Sequence, residues 1–347
     1  MMRPRPAAIA IVLLTVLTAC GQSSAPPAPA ASAKTGATAS GSAQAAAKAA
    51  GKRIVVATGG TGGVFYPLGT GLSKMLQKYL GVESSAEVTA ASVANFKLIR
   101  ERHQDVLAFA QADVAYDALE GREAFKADGP LQVRSLGVLY LNMMQLVVRD
   151  GTGINSAAEL RGRPVSVGDA NSGTEIKANR VLEAAGLDPA KDIQRQHLGV
   201  AESATAMEQG QLDAFFFDGG IPTPAIADLA NKQTVKLIPH GDLVAKMNAK
   251  YGDFYAQVLI PKDTYKGMTA DVPSVAGLPN ILAVHEEFPE DLSYGVLATL
   301  FDHKAEWDAI HPEAKFAELR TAWQNSPIPL HPGAIRFYRD RGVYRGS

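Results

Sequence analysis

Apolar and polar positions alternate between two periods along the chain. IVVAT within residues 53–58 is a continuous apolar run and predicts a buried strand. Leu68, Leu72, Met75, Leu76 and Tyr79 then fall on one helical face, with Pro67 suited to the first turn and Gly81 to the end. Further strands are predicted at 86–89, 105–110, 135–140, 145–149, 164–168, 212–217 and 235–239. Helices are predicted from Ser92 to Arg102, over 113–119, over 156–160, around Ala178, Val181, Leu182 and Ala185 with Gly186 closing, and from GGIPTP to Leu229. The end of the chain, 290–347, reads as helical, then proline-rich at 326–334, then helical again. Strand–helix alternation of this kind predicts parallel sheets covered on both faces. The pattern of 53–120 recurs over 164–230, so two α/β lobes are expected: 53–142 with 256–347, and 143–255.

The first 52 residues follow neither period. Arg3 and Arg5 precede a short apolar core, AAIAIVLLTVLTA at 7–19, which is a signal-peptide pattern too short for a comfortable membrane span. LTAC at 17–20 resembles a bacterial lipoprotein signal, with Cys20 as the lipidated residue; the alternative is an ordinary secretory peptide with a chance cysteine. Residues 22–52 are rich in Ala, Ser, Pro, Gly and Thr and carry no aromatic side chain. They read as a flexible tether over 20–52, with the folded part starting near Arg53.

Composition narrows the function. The 347 residues are 46% hydrophobic and 20% charged, with a net charge of −1 that becomes −3 once 1–19 are removed. No basic footprint for a nucleic acid is present. Cys20 is the sole cysteine, which excludes thiol catalysis and cysteine metal sites in the folded part. The seven histidines show no i, i+4 pair, no G-x-S-x-G elbow occurs, and neither cofactor nor metal is expected.

The candidate chemistry sits where strands run into helices. VVATGGTGGVFYPLG at 55–69 places four glycines in five residues between a strand and a helix. It is not a P-loop, because Gly63 is followed by Val64 and Phe65; nor is it a dinucleotide fingerprint, because Phe65 takes the third glycine position. Backbone N–H groups at a helix start still favour an anion, and a carboxylate fits as well as a phosphate. A tight turn without a ligand is the alternative. The device repeats at Asn171, Ser172, Gly173 and Thr174, and again at Gly219 and Gly220, which would aim three loops into one cleft. Tyr66 and Phe65 would give apolar wall and Gln111 an amide. Glu175, just inside a helix start, complements the helix dipole or acts as a base.

These stretches carry a resemblance. TGGTGGVFYPLG, SVANFKLI with DVLAFAQADVAYDAL, NSGTE with RVLEAAGL, AESATAMEQGQLDAFFFDGGIPTPAI, DVPSVAGLPNILAV and PIPLHPGAIRFYRDRG are similar, in order, to the TAXI-family extracytoplasmic solute receptors of TRAP transporters. The resemblance implies a two-lobed periplasmic-binding-protein fold of type II. It also implies a monomeric receptor that captures a small carboxylate or amino acid, such as glutamate or 2-oxoglutarate, for an ion-driven membrane carrier. By position it implies ligand contacts at Gly62, Tyr66, Ser92, Asn95 and Gln111, and at Ser172, Gly173, Thr174, Gly219 and Thr223. Two departures stand out. Asp218 replaces an apolar residue; facing the cleft it would bind an amine and repel a second carboxylate, and otherwise it caps a turn or points outward. Ala90, Ala91 and Ser92 replace a glycine-containing run. An extracytoplasmic lyase or dehydratase using Glu175 or Asp218, and a ligand-sensing lipoprotein, are the other function classes.

Overall fold

The structure is a computed structural model and describes residues 32–277 and 279–346. In chain order the elements are α1 (Ser32–Ala49), β1 (Arg53–Ala57), α2 (Phe65–Leu80), β2 (Glu83–Glu87), α3 (Ser92–Glu101), β3 (Val106–Gln111), α4 (Ala112–Glu120), β4 (Val133–Val138) and β5 (Met143–Arg149). Next come β6 (Pro164–Ser166), α5 (Gly173–Ala184), β7 (Gln194–Gln196), α6 (Val200–Glu208), β8 (Ala214–Gly219), α7 (Pro224–Lys232), β9 (Val235–Leu237), α8 (Val244–Tyr251), β10 (Ala256–Ile260) and β11 (Val272–Ala276). The chain ends with β12 (Asn280–His285), α9 (Glu290–Asp302), α10 (Lys304–Asp308), a 3-10 turn at Pro312–Phe316 and α11 (Pro332–Asp340).

Two sheets result. The first runs β2-β1-β3-β12-β4, with β1 parallel to β2 and β3 and with β12 antiparallel to its neighbours. The second runs β10-β11-β5-β8-β6-β7, with β9 pairing β5 and with β6, β7 and β8 parallel. Each sheet is covered on both faces, as the strand–helix alternation requires. The amphipathic face of α2 is buried at Leu68, Leu72, Met75 and Leu76, and Gly81 ends the helix at φ +68°, where a side chain is disfavoured. Within β8, Phe215 and Phe216 enter cores on opposite faces of the sheet, the period of two made visible. This is a two-lobed periplasmic-binding-protein fold of type II.

Two expected boundaries differ. β10 and β11 lie in the second sheet, where β10 pairs antiparallel with β11, and β11 with β5. Residues 256–276 therefore belong with the second lobe, and the chain returns to the first just before β12. A strand's apolar pattern fixes its faces but not its partner. The tether expected over 20–52 is also shorter, because 32–49 form a helix packed on α9, α2 and α11. Ala45 and Ala49 are buried there, and Gly41 sits against the Tyr294 hydroxyl. Alanine is the strongest helix former, and its small side chain lets two helix backbones approach, so the composition that read as a tether serves as a docking helix. Cys20 and the signal segment 1–19 lie outside the described residues. Among the described residues no helix is long and apolar enough to cross a membrane.

Candidate functional site: a cleft between the lobes

The carboxyl ends of the parallel strands in both sheets face each other, and the loops leaving them enclose a cavity of about 50 Å³. From the first lobe come Gly59, Gly60 and Gly63 after β1, Phe65 at the start of α2, Ala90 and Ala91 after β2, and Gln111 at the end of β3. Tyr140 and Asn142 enter from the crossing between β4 and β5. From the second lobe come Asp169, Ser172 and Thr174 after β6, Gly199 and Val200 after β7, and Phe217, Asp218 and Gly219 from the end of β8. Three helix starts, those of α2, α5 and α6, thus converge on one small volume. Their first N–H groups and dipoles favour negative charge there.

Of the residues expected at the site, Gln111, Ser172, Thr174, Asp218 and Gly219 line the cavity. Asp218 does face it. One of its oxygens, Oδ2, pairs with the buried ammonium of Lys177, while Oδ1 is buried without a partner. Thr174 Oγ1 accepts from the Asp218 N–H at 3.2 Å, and Asn142 Nδ2 donates to the Asp218 carbonyl at 3.3 Å. Burial pushes the Asp218 carboxyl above the usual carboxylate range, and Lys177 opposes that shift. Asp169 is raised too, by burial and by Glu202 beside it. Gln111 Oε1 and the Tyr140 hydroxyl are two more buried polar atoms without partners among the described residues.

The other expected contacts serve the wall from behind. Ser92 Oγ accepts from the Gln111 N–H at 3.1 Å. Asn95 donates to the Thr58 and Phe109 carbonyls at 2.7 and 2.8 Å and accepts from the Thr89 hydroxyl at 2.6 Å, tying the loops after β1 and β2 to strand β3. Both are fully buried and neither reaches the cavity. Thr223 is also fully buried; its hydroxyl donates to the Gly220 carbonyl and accepts from Gln145. Gly173 lies under the Gln111 amide, which a Cβ would strike. Tyr66 turns away from the cavity into a separate groove with Lys74, Pro224, Glu306 and Ile310. Gly62 is a contact between lobes: its carbonyl accepts from the Ala225 N–H at 3.2 Å. A Cβ there would lie 2.9 Å from Ala225 Cβ and 3.0 Å from Ala201 Cβ.

Glu175 closes a ring resembling a capping box at the start of α5, with its carboxylate on the residue before the N-cap. It accepts from the Asn171 N–H at 2.9 Å while its own N–H donates to Ser172 Oγ at 3.0 Å, and Arg195 pairs with it at 2.8 Å. Sequence reasoning missed Asp169, Tyr140 and Asn142. Asp169 lies two residues before the NSGT loop, and Tyr140 and Asn142 sit in the short link between β4 and β5, consecutive strands of different sheets, so position relative to strand ends is the available signal. Sequence spacing likewise did not reveal that His103 and His285 stack at 3.8 Å on the first lobe. There His285 Nδ1 is already engaged by the Glu287 N–H.

The lobes are held together around the cavity. The Ala94 N–H donates to the Asn171 carbonyl at 3.3 Å, the Ile221 N–H donates to the Glu313 carboxylate at 2.7 Å, and Arg180 pairs with Asp117 at 3.1 Å with both side chains buried. Burial pushes the Glu313 carboxyl up to about 7.

Solved structures of binding proteins align with this chain. The binding-protein component of a phosphonate ABC transporter from Pseudomonas aeruginosa aligns with a TM-score of 0.50 at 12% identity, over 77% of this chain and 80% of that one. The periplasmic aliphatic sulphonate binding protein of Escherichia coli aligns at 0.44 and 15% identity, over 85% and 94%. An ancestral arginine-binding protein bound to arginine aligns at 0.45 and 17%, over 77% and 99%. At such identities the likeness is one of fold. A family model matches residues 56–342, and by that match the chain belongs to the NMT1-like family.

Proposed function

We propose that this protein is an extracytoplasmic solute receptor. It captures a small organic acid or amino acid between its lobes and presents it to a membrane carrier, with no chemical turnover. The observation that carries the reading is the small cavity closed between two lobes at the carboxyl ends of their strands, lined by three helix starts and by unpartnered polar atoms. The likeness in fold to the binding-protein component of a phosphonate transporter supports it. The motifs shared with TAXI receptors support a TRAP-type carrier and a glutamate- or 2-oxoglutarate-like solute. The signal segment and Cys20 support export and a lipid anchor, which would hold the receptor at a membrane surface outside the cytoplasm. Recognition by the carrier would follow from closure, since ligand binding favours the closed form.

Native mass spectrometry of gently purified protein tests this reading. A retained adduct with the mass of a small acid or amino acid is expected, lost on mild denaturation. A clean protein mass, together with no thermal stabilisation by a panel of organic acids and amino acids, would contradict it. So would turnover of a bound solute.

A further inference from the structure

The cavity is lined by two carboxyl groups, Asp169 and Asp218, and by three aromatic rings, Phe65, Tyr140 and Phe217. Among the described residues that line it there is no lysine, arginine or histidine. Lys177, the cation nearest to hand, is bonded to Asp218 Oδ2 and is itself buried, so it holds the carboxylate and does not reach the cavity. Asp218 Oδ1 and Gln111 Oε1 are acceptors left without donors. The rings of Phe65 and Tyr140 meet edge-on at 6.4 Å. Phe217 reaches across from the second lobe to the glycine loop, where a Cβ on Gly63 would lie 3.1 Å from its ring.

The positive potential in the cleft comes from backbone alone, and part of it is already answered. At the start of α6, a Cβ on Gly199 would lie 2.6 Å from Glu202 Oε2 and 2.8 Å from Asp169 Oδ2, so two carboxylates of the protein already sit at that helix end. The start of α5 likewise carries the Glu175 carboxylate, whereas α2 has no side-chain cap, so its start remains for one carboxylate of a ligand. A second carboxylate would meet Asp218, whose one cation, Lys177, is already bonded to it, or Asp169, which has no ion-pair partner among the described residues. A protonated amine meets the opposite situation: two unpartnered acceptors, one of them on the Asp218 carboxyl, among aromatic rings.

We infer that the solute bound in this cleft carries a protonated amine, seated between Asp218, Gln111 and the aromatic rings, and at most one carboxylate. The inference rests on the receptor reading and narrows it. Amine-bearing solutes with one carboxylate or none fit; 2-oxoglutarate, and glutamate with its second carboxylate, do not. Asp218 is the residue that sets this specificity, and Lys177 positions it.

Isothermal titration of the full chain with succinate, 4-aminobutyrate and putrescine tests the inference, since these share a carbon skeleton and differ only in end groups. The same trio one carbon shorter and one longer covers the fit of length. The amines, 4-aminobutyrate above all, are expected to bind, with the matching dicarboxylate roughly a hundredfold weaker because it leaves both acceptors unpaired. Asp218→Asn should weaken the amine about tenfold or more while leaving the dicarboxylate unchanged or improved. Should that variant not fold, Asp169→Asn, at a half-buried position, should shift the preference in the same direction by less. A dicarboxylate that binds as tightly as its amine counterpart overturns the inference and leaves the receptor reading standing. Binding by none of the compounds counts against both.

Discussion

The two walls of the cleft are made of different material. On the first lobe Gly59, Gly60, Gly63, Ala90 and Ala91 bring backbone to the cavity with nothing larger than a methyl group, and the polar side chain among them is the neutral Gln111. On the second lobe Asp169 and Asp218 bring charge, set beside the hydroxyls of Ser172 and Thr174. The first wall can approach any ligand closely but selects by shape; the second selects by charge. The same asymmetry extends behind the walls. Ser92 and Asn95 brace the first with neutral hydrogen bonds, whereas Lys177 braces the second with a buried ion pair.

Removing the brace of the charged wall should have the largest effect. Lys177→Met leaves the Asp218 carboxyl buried without its partner and should cost about 3–5 kcal/mol of stability, read by denaturant unfolding. The double variant Lys177→Met, Asp218→Leu should recover most of that loss. A small effect of the single variant would show that Asp218 is neutral in the ligand-free protein.

The latch between the walls should respond to pH. Burial raises the Glu313 carboxyl from its ordinary 4.5 to about 7, so the closed protein favours the protonated form. Its contribution is therefore full below about 4.5 and is lost as pH rises to about 7. Melting temperature should fall across that window, and Glu313→Gln, which stays neutral and can still accept from the Ile221 N–H, should flatten the fall. An unchanged pH profile in the variant would assign the dependence to Asp218 or Asp117, whose carboxyls burial also raises.

On the neutral wall, Gly62→Val should leave each lobe folded but hold the lobes apart, because even a Cβ collides with Ala225 and Ala201. Apparent affinity for the solute should drop about tenfold, about 1.4 kcal/mol, with the melting temperature of the ligand-free protein little changed. Affinity equal to that of the parent chain would remove Gly62 from the closed contact. The smallest effect concerns Ala91, held at φ +73°, a conformation that glycine adopts without a Cβ penalty. Ala91→Gly should stabilise the protein by about 1 kcal/mol if relief of that strain exceeds the entropy glycine adds to the unfolded chain. Destabilisation would mean that the strain is small.

Much of this asymmetry was legible in the sequence, for identifiable reasons. Strand-to-helix junctions announce themselves through apolar runs that end in Gly, Ser or Asn, so the loops at 59–63, 171–174 and 219–220 are legible. What periodicity does not encode is the direction of a side chain within a loop. A rotation of one residue separates Gly63, which faces the cavity, from Gly62, which faces the other lobe, and Phe65 from Tyr66. The family resemblance implies ligand contacts at Ser92, Asn95 and Thr223, but position alone does not separate bracing a wall from touching a ligand, since both require the same hydrogen-bonding groups. The partner of a strand pair is likewise invisible, which is why β10 and β11 were placed in the wrong lobe.

The central claim is that the two walls belong to lobes that close on a solute. Pulsed electron resonance between spin labels on Lys74→Cys of α2 and Asp228→Cys of α7, both exposed beside the cleft, in a Cys20→Ser background, measures that motion directly. The account predicts a broad or longer distance without ligand that 4-aminobutyrate converts, in a saturable way, to the short distance of the closed form. A single distance unchanged by any small acid or amine would contradict it.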